Sequence, residues 1–144
     1  MIRRLHGIAG GLALAIILTF WLSTVASELS GLPGFIVSVK RAIPWGFLLL
    51  VPAIAAAGAT GFRLGKGRRG PLIAAKRRRM PIIALNGVCV LVPCALGLAY
   101  LAGEGRIDGV FYAVQAIELV AGAVNIAFMA LNLRDGLRLR RRQA

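Results

Sequence analysis

The sequence predicts an all-α polytopic membrane protein: four transmembrane helices in a compact bundle, with both termini cytoplasmic. Three observations lead there. The 144 residues are 58% hydrophobic and 16% charged, with a mean hydropathy of +0.79; an ordinary soluble domain is about 45–50% apolar and 25% charged. Four stretches reach the roughly 20 apolar residues that a helix needs to cross a hydrocarbon core of about 30 Å. The basic residues, 18 against 5 acidic ones for a net charge of +13, fall almost entirely in alternate connections. The length allows a single domain.

The first span runs from Gly7 to Ser27 without a charge, and the second from Ala42 to Phe62. The third spans Pro81 to Ala102, and the fourth Val110 to Leu133, interrupted only by Glu118. No stretch alternates in the manner of a barrel strand, so helices are the spanning form. Met1 to Ser27 also reads as a secretory signal, with a basic start, an apolar run and a small-residue exit at Ser23–Ser27; the expectation is that it stays as the first span. Pro33-Gly34 breaks the chain, and residues 35–41 form either a short interfacial helix or an outward extension of the second span. Pro44 and Pro81 are expected in first turns, and Pro52 and Pro93 inside helices, each freeing a carbonyl. Trp21 and Trp45 are expected as interfacial aromatics. Small residues recur four apart: Gly7, Gly11 and Ala15; Ala53, Ala57 and Gly61; Ala95, Ala99 and Gly103; and the pair Ala123 and Ala127. Such stripes let membrane helices approach closely, so a tight bundle is expected.

Orientation follows from Lys and Arg. Arg3 and Arg4 precede the first span. The 63–80 connection carries Arg63, Lys66, Arg68, Arg69, Lys76, Arg77, Arg78 and Arg79, and the 134–144 tail carries Arg134, Arg138, Arg140, Arg141 and Arg142. Only Lys40, Arg41 and Arg106 lie on the other side, a ratio of 15 to 3. The expected location is therefore a bacterial cytoplasmic (inner) membrane, multi-pass. Arg68, Arg69, Lys76, Arg77, Arg78 and Arg79 are expected to meet the headgroups of anionic phospholipids, at about 1 kcal/mol each near the surface. Nucleic acid is not an expected partner, because no aromatic or amide side chains interleave these basic runs for stacking or base readout.

The fourth span carries the most informative pattern. Phe111, Gln115, Glu118, Gly122, Asn125, Met129 and Asn132 recur every three or four residues, placing a polar stripe on one helix face. Glu118 lies about 12 Å in from Val110, a depth at which an ionisable residue needs a partner. Lys40 or Arg41 is the expected partner if the residue locks the bundle; a proton or cation site is the alternative. Asn86, in the third span, is expected to meet Asn132.

Catalytic chemistry finds no constellation. Cys89 and Cys94 point to different helix faces, Gly65–Gly70 lacks the spacing of a phosphate loop, and the sole histidine, His6, can complete neither a triad nor a metal cluster. Arg3-Arg4-Leu5-His6-Gly7, running straight into an apolar helix, resembles the first helix of bacterial b-type cytochromes and of PepSY-type membrane proteins. That resemblance implies haem b ligation by His6, yet those families mostly pair two histidines and this chain has one. Met80, Met129 or His6 of a second copy would have to supply the other ligand, and His/Met ligation is chemically sound. No cofactor is otherwise expected. The expected role is an accessory or organising subunit of a membrane complex, bound to other subunits or to copies of itself. A haem-bearing electron-transfer subunit and a small proton-coupled transporter using Glu118 are the rivals.

Overall fold

A computed structural model describes residues 1–67 and 70–141, apart from the side chains of Arg140 and Arg141. The described chain is helical with short turns: α1 (Ile2–Ser30), α2 (Pro33–Gly65), α3 (Pro71–Asn86), a π-helical turn (Gly87–Leu91), α4 (Val92–Gly103) and α5 (Gly109–Arg141). Because α3, the π-turn and α4 are continuous, they form one 33-residue rod, and the four long helices are each apolar enough to cross a membrane. Only 11–22% of the most apolar window of each helix is buried in the bundle. Apolar surface that wide and outward-facing suits lipid, not water.

The helices run longer than the expected spans. A helix of 33 residues extends about 50 Å, well beyond the hydrocarbon core, because hydropathy marks where lipid ends and not where backbone hydrogen bonding ends. Residues 35–41 are therefore part of α2, which begins at Pro33. Pro44 and Pro81, expected in first turns, lie inside α2 and α3, and the first-turn prolines are instead Pro33 and Pro71. Most of the basic 63–80 connection is also helical. Between α1 and α2 the chain reverses within two residues: Gly31 takes φ 62° and its N–H caps Glu28 O, and Pro33 then starts α2 with its preset φ. Pro93 follows directly on the π-turn, whose wider winding relieves the clash between a proline ring and the carbonyl four residues back.

In the bundle α1 packs on α2 and α5, and α4 on α2 and α5, so α1 lies diagonally across from α4 and α2 from α5. One core holds Ala13 and Ile17 of α1 against Leu50 and Ala53 of α2. A second joins Val39 and Ile43 to Ala95, with Phe20 and Phe47 edge-to-face at 6.2 Å beside it. A third closes Ile36, Leu98, Ala102 and Phe111 where α4 turns into α5. The small-residue stripes divide. Ala53, Ala57 and Gly61 do face α1, but α1 answers with Ala9 and Ala13, leaving Gly7 and Ala15 exposed; Ala123 and Ala127 are exposed as well. On α4, Leu98 and Ala102 are buried and Gly103 is exposed. In helices this rich in Ala and Gly every face offers small residues, and the large side chains on neighbouring helices decide which is used.

Candidate functional site

The buried face of α5 carries the polar chemistry of the bundle. Phe111, Gln115, Gly122, Asn125 and Asn132 are buried, Glu118 and Met129 partly so, and the same face continues to Asp135, which is 2% exposed. Along it the structure assembles three polar levels.

The level nearest the α1–α2 and α4–α5 turns centres on Lys40, which is fully buried. Its Nζ donates to Glu118 Oε2 at 2.5 Å and to Thr24 Oγ1 at 3.2 Å. The ion pair joins α2 to α5 and so crosses the diagonal of the bundle. Thr24 brings in α1, and Glu28 and Cys94, from α1 and α4, lie close enough to feel the Lys40 charge. Arg41, the other expected partner, is exposed; one residue further round the helix, it points outward. Gln115 is 3% exposed, and neither end of its amide has a partner among the described residues.

Below this level the Trp21 indole N–H donates to Leu119 O at 2.9 Å. The ring lies over Gly122, where a Cβ would come within 2.9 Å of Trp21 Cδ1, so the close approach of α1 and α5 requires glycine there. Trp21 thus binds within the bundle instead of standing at the interface, while Trp45 is 74% exposed.

At the second level, farther from those turns, Asn86 Nδ2 donates to Ala121 O at 2.8 Å and to Asn125 Oδ1 at 2.9 Å. The expected Asn86–Asn132 meeting is therefore replaced by Asn86–Asn125, because α3 reaches this depth two turns earlier along α5. The third level lies near the termini, where Arg79 Nη1 donates to Asp135 Oδ2 at 2.7 Å and to Asn132 Oδ1 at 3.4 Å. Arg79 is thus drawn into the bundle. Arg77 donates to Gly65 O at 2.8 Å, bridging α3 to the end of α2. Arg78 is exposed and Lys76 half-buried, while Arg68, Arg69 and Arg142 lie outside the described residues.

His6 is half-buried against α2. Its Nδ1 lies 3.0 Å from Ala57 O and 3.2 Å from Thr60 Oγ1. A carbonyl only accepts, so Nδ1 carries the proton and in the neutral ring Nε2 keeps its lone pair, the arrangement in which metal-ligating histidines are held. The structure does not set a thioether opposite. Met129 packs against the cluster of Ala13, Ile17, Leu50 and Ala53, which begins two turns along α1 from His6, and Met80 Sδ accepts from Asn132 Nδ2 at 3.8 Å. A His/Met haem pair is therefore not assembled within one chain, and only a second copy would offer another histidine. No group of three or more metal-ligating side chains occurs among the described residues.

Sequence reasoning missed Thr24, Glu28 and Asp135. Asp135 carried a signal, three residues beyond Asn132 on the same face, but it lies past the end of the apolar run. Glu28 and Thr24 are four apart on α1, a pairing that becomes meaningful only once Lys40 is known to face them. No protein-family model, curated protein or solved structure matches the chain.

Proposed function

We propose that this chain is an accessory or organising subunit of a bacterial cytoplasmic-membrane complex, inserted with both termini in the cytoplasm. The observation that carries the reading is the Lys40–Glu118 pair. It is spent on closing the bundle across its diagonal and leaves Glu118 committed to a cation of its own chain. A coupling carboxylate in a transporter has to be released and rebound, whereas this one is held with Thr24 and Lys40 as a lock. The outward faces support assembly with other membrane helices: Gly7 and Ala15 on α1 and Ala123 and Ala127 on α5 are exposed, and small residues are what helix–helix contacts in lipid use. The 15-to-3 charge bias supports the orientation.

The test is the size of the particle in native membranes. Gently solubilised wild type should migrate as an assembly larger than one 15.2 kDa chain with its detergent, and Ala15→Leu with Ala123→Leu should return it to the monomer. A wild-type protein that is already monomeric in its own membrane would sink the proposal. A second reading, haem b held by His6 of two copies, is favoured by the free Nε2. It requires a Soret absorption that His6→Ala abolishes, and a colourless purified protein ends it.

A further inference from the structure

Unmet polar groups gather one turn beyond the Lys40–Glu118 pair, at the end of the bundle where α1 meets α2 and α4 meets α5. Thr24 and Glu28 are four apart on α1, and Gln115 and Glu118 three apart on α5, so each pair shares a helix face. Because α1 runs toward that end and α5 away from it, Glu28 and Gln115 both stand about 5 Å beyond the ion pair. Gln115 is 3% exposed, and among the described residues its Nε2 and Oε1 are both without partners. Glu28 is half-buried, and its Oε1 is likewise buried and unpartnered among the described residues. Buried polar atoms in native proteins are nearly always matched by protein or by ordered water. A water molecule both donates and accepts, so water at this level can answer the Gln115 amide and the Glu28 carboxylate alike.

The charges point the same way. Facing this region are Glu28 from α1, Lys40 from α2, the Cys94 thiol from α4 and Glu118 from α5; Arg41 is exposed on the far side of α2. Two carboxylates stand against one ammonium, and a carboxylate oxygen shut off from water disfavours the charged form. Glu118 is already bound to Lys40, so Glu28 is the carboxylate left in excess.

We propose that Glu28, Gln115 and the Lys40–Glu118 pair form a hydrated proton-binding site, reached from the loop end of the bundle, with the exchangeable proton on Glu28. Hydronium entering from that end transfers its proton to the Glu28 carboxylate, forming the O–H bond and leaving water. The neutral acid then donates toward the waters that Gln115 holds with its carbonyl and amide, and release reverses the transfer. The site goes beyond the organising role and does not depend on it.

The experiment uses the full chain in vesicles of neutral phospholipid, with infrared difference spectra of the carboxyl C=O stretch and parallel potentiometric proton uptake across a pH series. The expected result is a protonated-carboxyl band that titrates above the ordinary glutamate value of about 4.3. Glu28→Gln should abolish the band and lower uptake by one proton per chain while helix content is unchanged. Gln115→Leu should keep the band and move its midpoint to higher pH, since a drier site favours the neutral acid. The readout is specific to carboxyl groups, so Cys94 does not contribute. The absence of such a band, or its survival in Glu28→Gln, overturns the proposal. Loss of the band on adding Na⁺ or K⁺ at constant pH also overturns it, by making the site one for a metal cation.

Discussion

Lys40 has given up water entirely, and an ammonium so placed persists only because Glu118 and Thr24 answer it. Breaking a buried pair by deleting one partner typically costs about 3–5 kcal/mol, whereas replacing both partners by apolar groups is often neutral. Lys40→Met and Glu118→Gln should therefore each destabilise the bundle by about that amount, and Lys40→Met combined with Glu118→Leu should recover most of it. Thermal or denaturant unfolding in detergent checks this; single variants no worse than the double would show that the pair is not a lock. Asn125 provides the contrast. Its loss leaves Asn86 still bonded to Ala121 O, and interhelical amide hydrogen bonds in membranes contribute about 1–2 kcal/mol at most. Asn125→Ala should accordingly be the milder change. Sequence reasoning reached Glu118 and narrowed its partner to two adjacent residues. It went no further, because neighbours on a helix differ by about 100° in direction, and only the packing of α2 shows that Lys40 is the one turned inward.

The start of α5 depends on a single side chain. Asp108 Oδ1 accepts from the backbone N–H groups of Val110 and Phe111 at 3.0 and 3.1 Å, and Arg106 reaches Oδ2 at 3.3 Å. The Phe111 N–H and, after it, the Arg106 guanidinium hold the Asp108 carboxyl below the ordinary carboxylate range. A carboxylate lowered on folding contributes stability that is present above its unfolded value, about 3.9, and lost as pH falls through the folded one. Hydrogen exchange at Val110 and Phe111, normalised for intrinsic rate, should thus lose protection below about pH 4. Asp108→Asn, a good cap without the charge, should flatten that dependence; equal pH profiles in the two proteins would remove the cap from the account. Farther along α5, Gly122→Leu would force the helix off Trp21, at about 1–3 kcal/mol for overpacking. The inward face of α5 could be read from sequence because polar residues in an apolar helix are few and their 3.6-residue period is unmistakable. The packing faces of α1 and α4 could not, since lipid is as apolar as the side chains competing with it and composition does not separate the two.

At the scale of the molecule, four antiparallel helices place the start of α1, the end of α2, the start of α3 and the end of α5 at one end of the bundle, and the two short turns at the other. Hydropathy made the helix number legible, while the helix ends stayed hidden because α2, α3 and α5 run on through basic segments that hydropathy counts as loop. Those segments do two kinds of work. Arg79 is bound to Asp135, itself almost fully buried, so Arg79→Gln should loosen the bundle. Arg78 is exposed, and Arg78→Gln should weaken only the association with anionic vesicles, by about 1 kcal/mol. The larger consequence is orientation. Lys and Arg near span ends are retained on the cytoplasmic side during insertion, and 15 of the 18 basic residues belong in sequence to the amino tail, the 63–80 connection and the carboxyl tail. Reporters fused after Ala144 or inserted near Lys66 should therefore report cytoplasm, and one inserted at Glu104 the opposite compartment. Reversing the bias tests the cause as well as the result. Neutralising Arg3 and Arg4 alone leaves the other 13 of those 15 basic residues in place and should not invert the chain, whereas removing the basic residues of both the 63–80 connection and the tail should give mixed orientations. A carboxyl terminus found opposite the cytoplasm in the unaltered protein would overturn the proposed orientation at once.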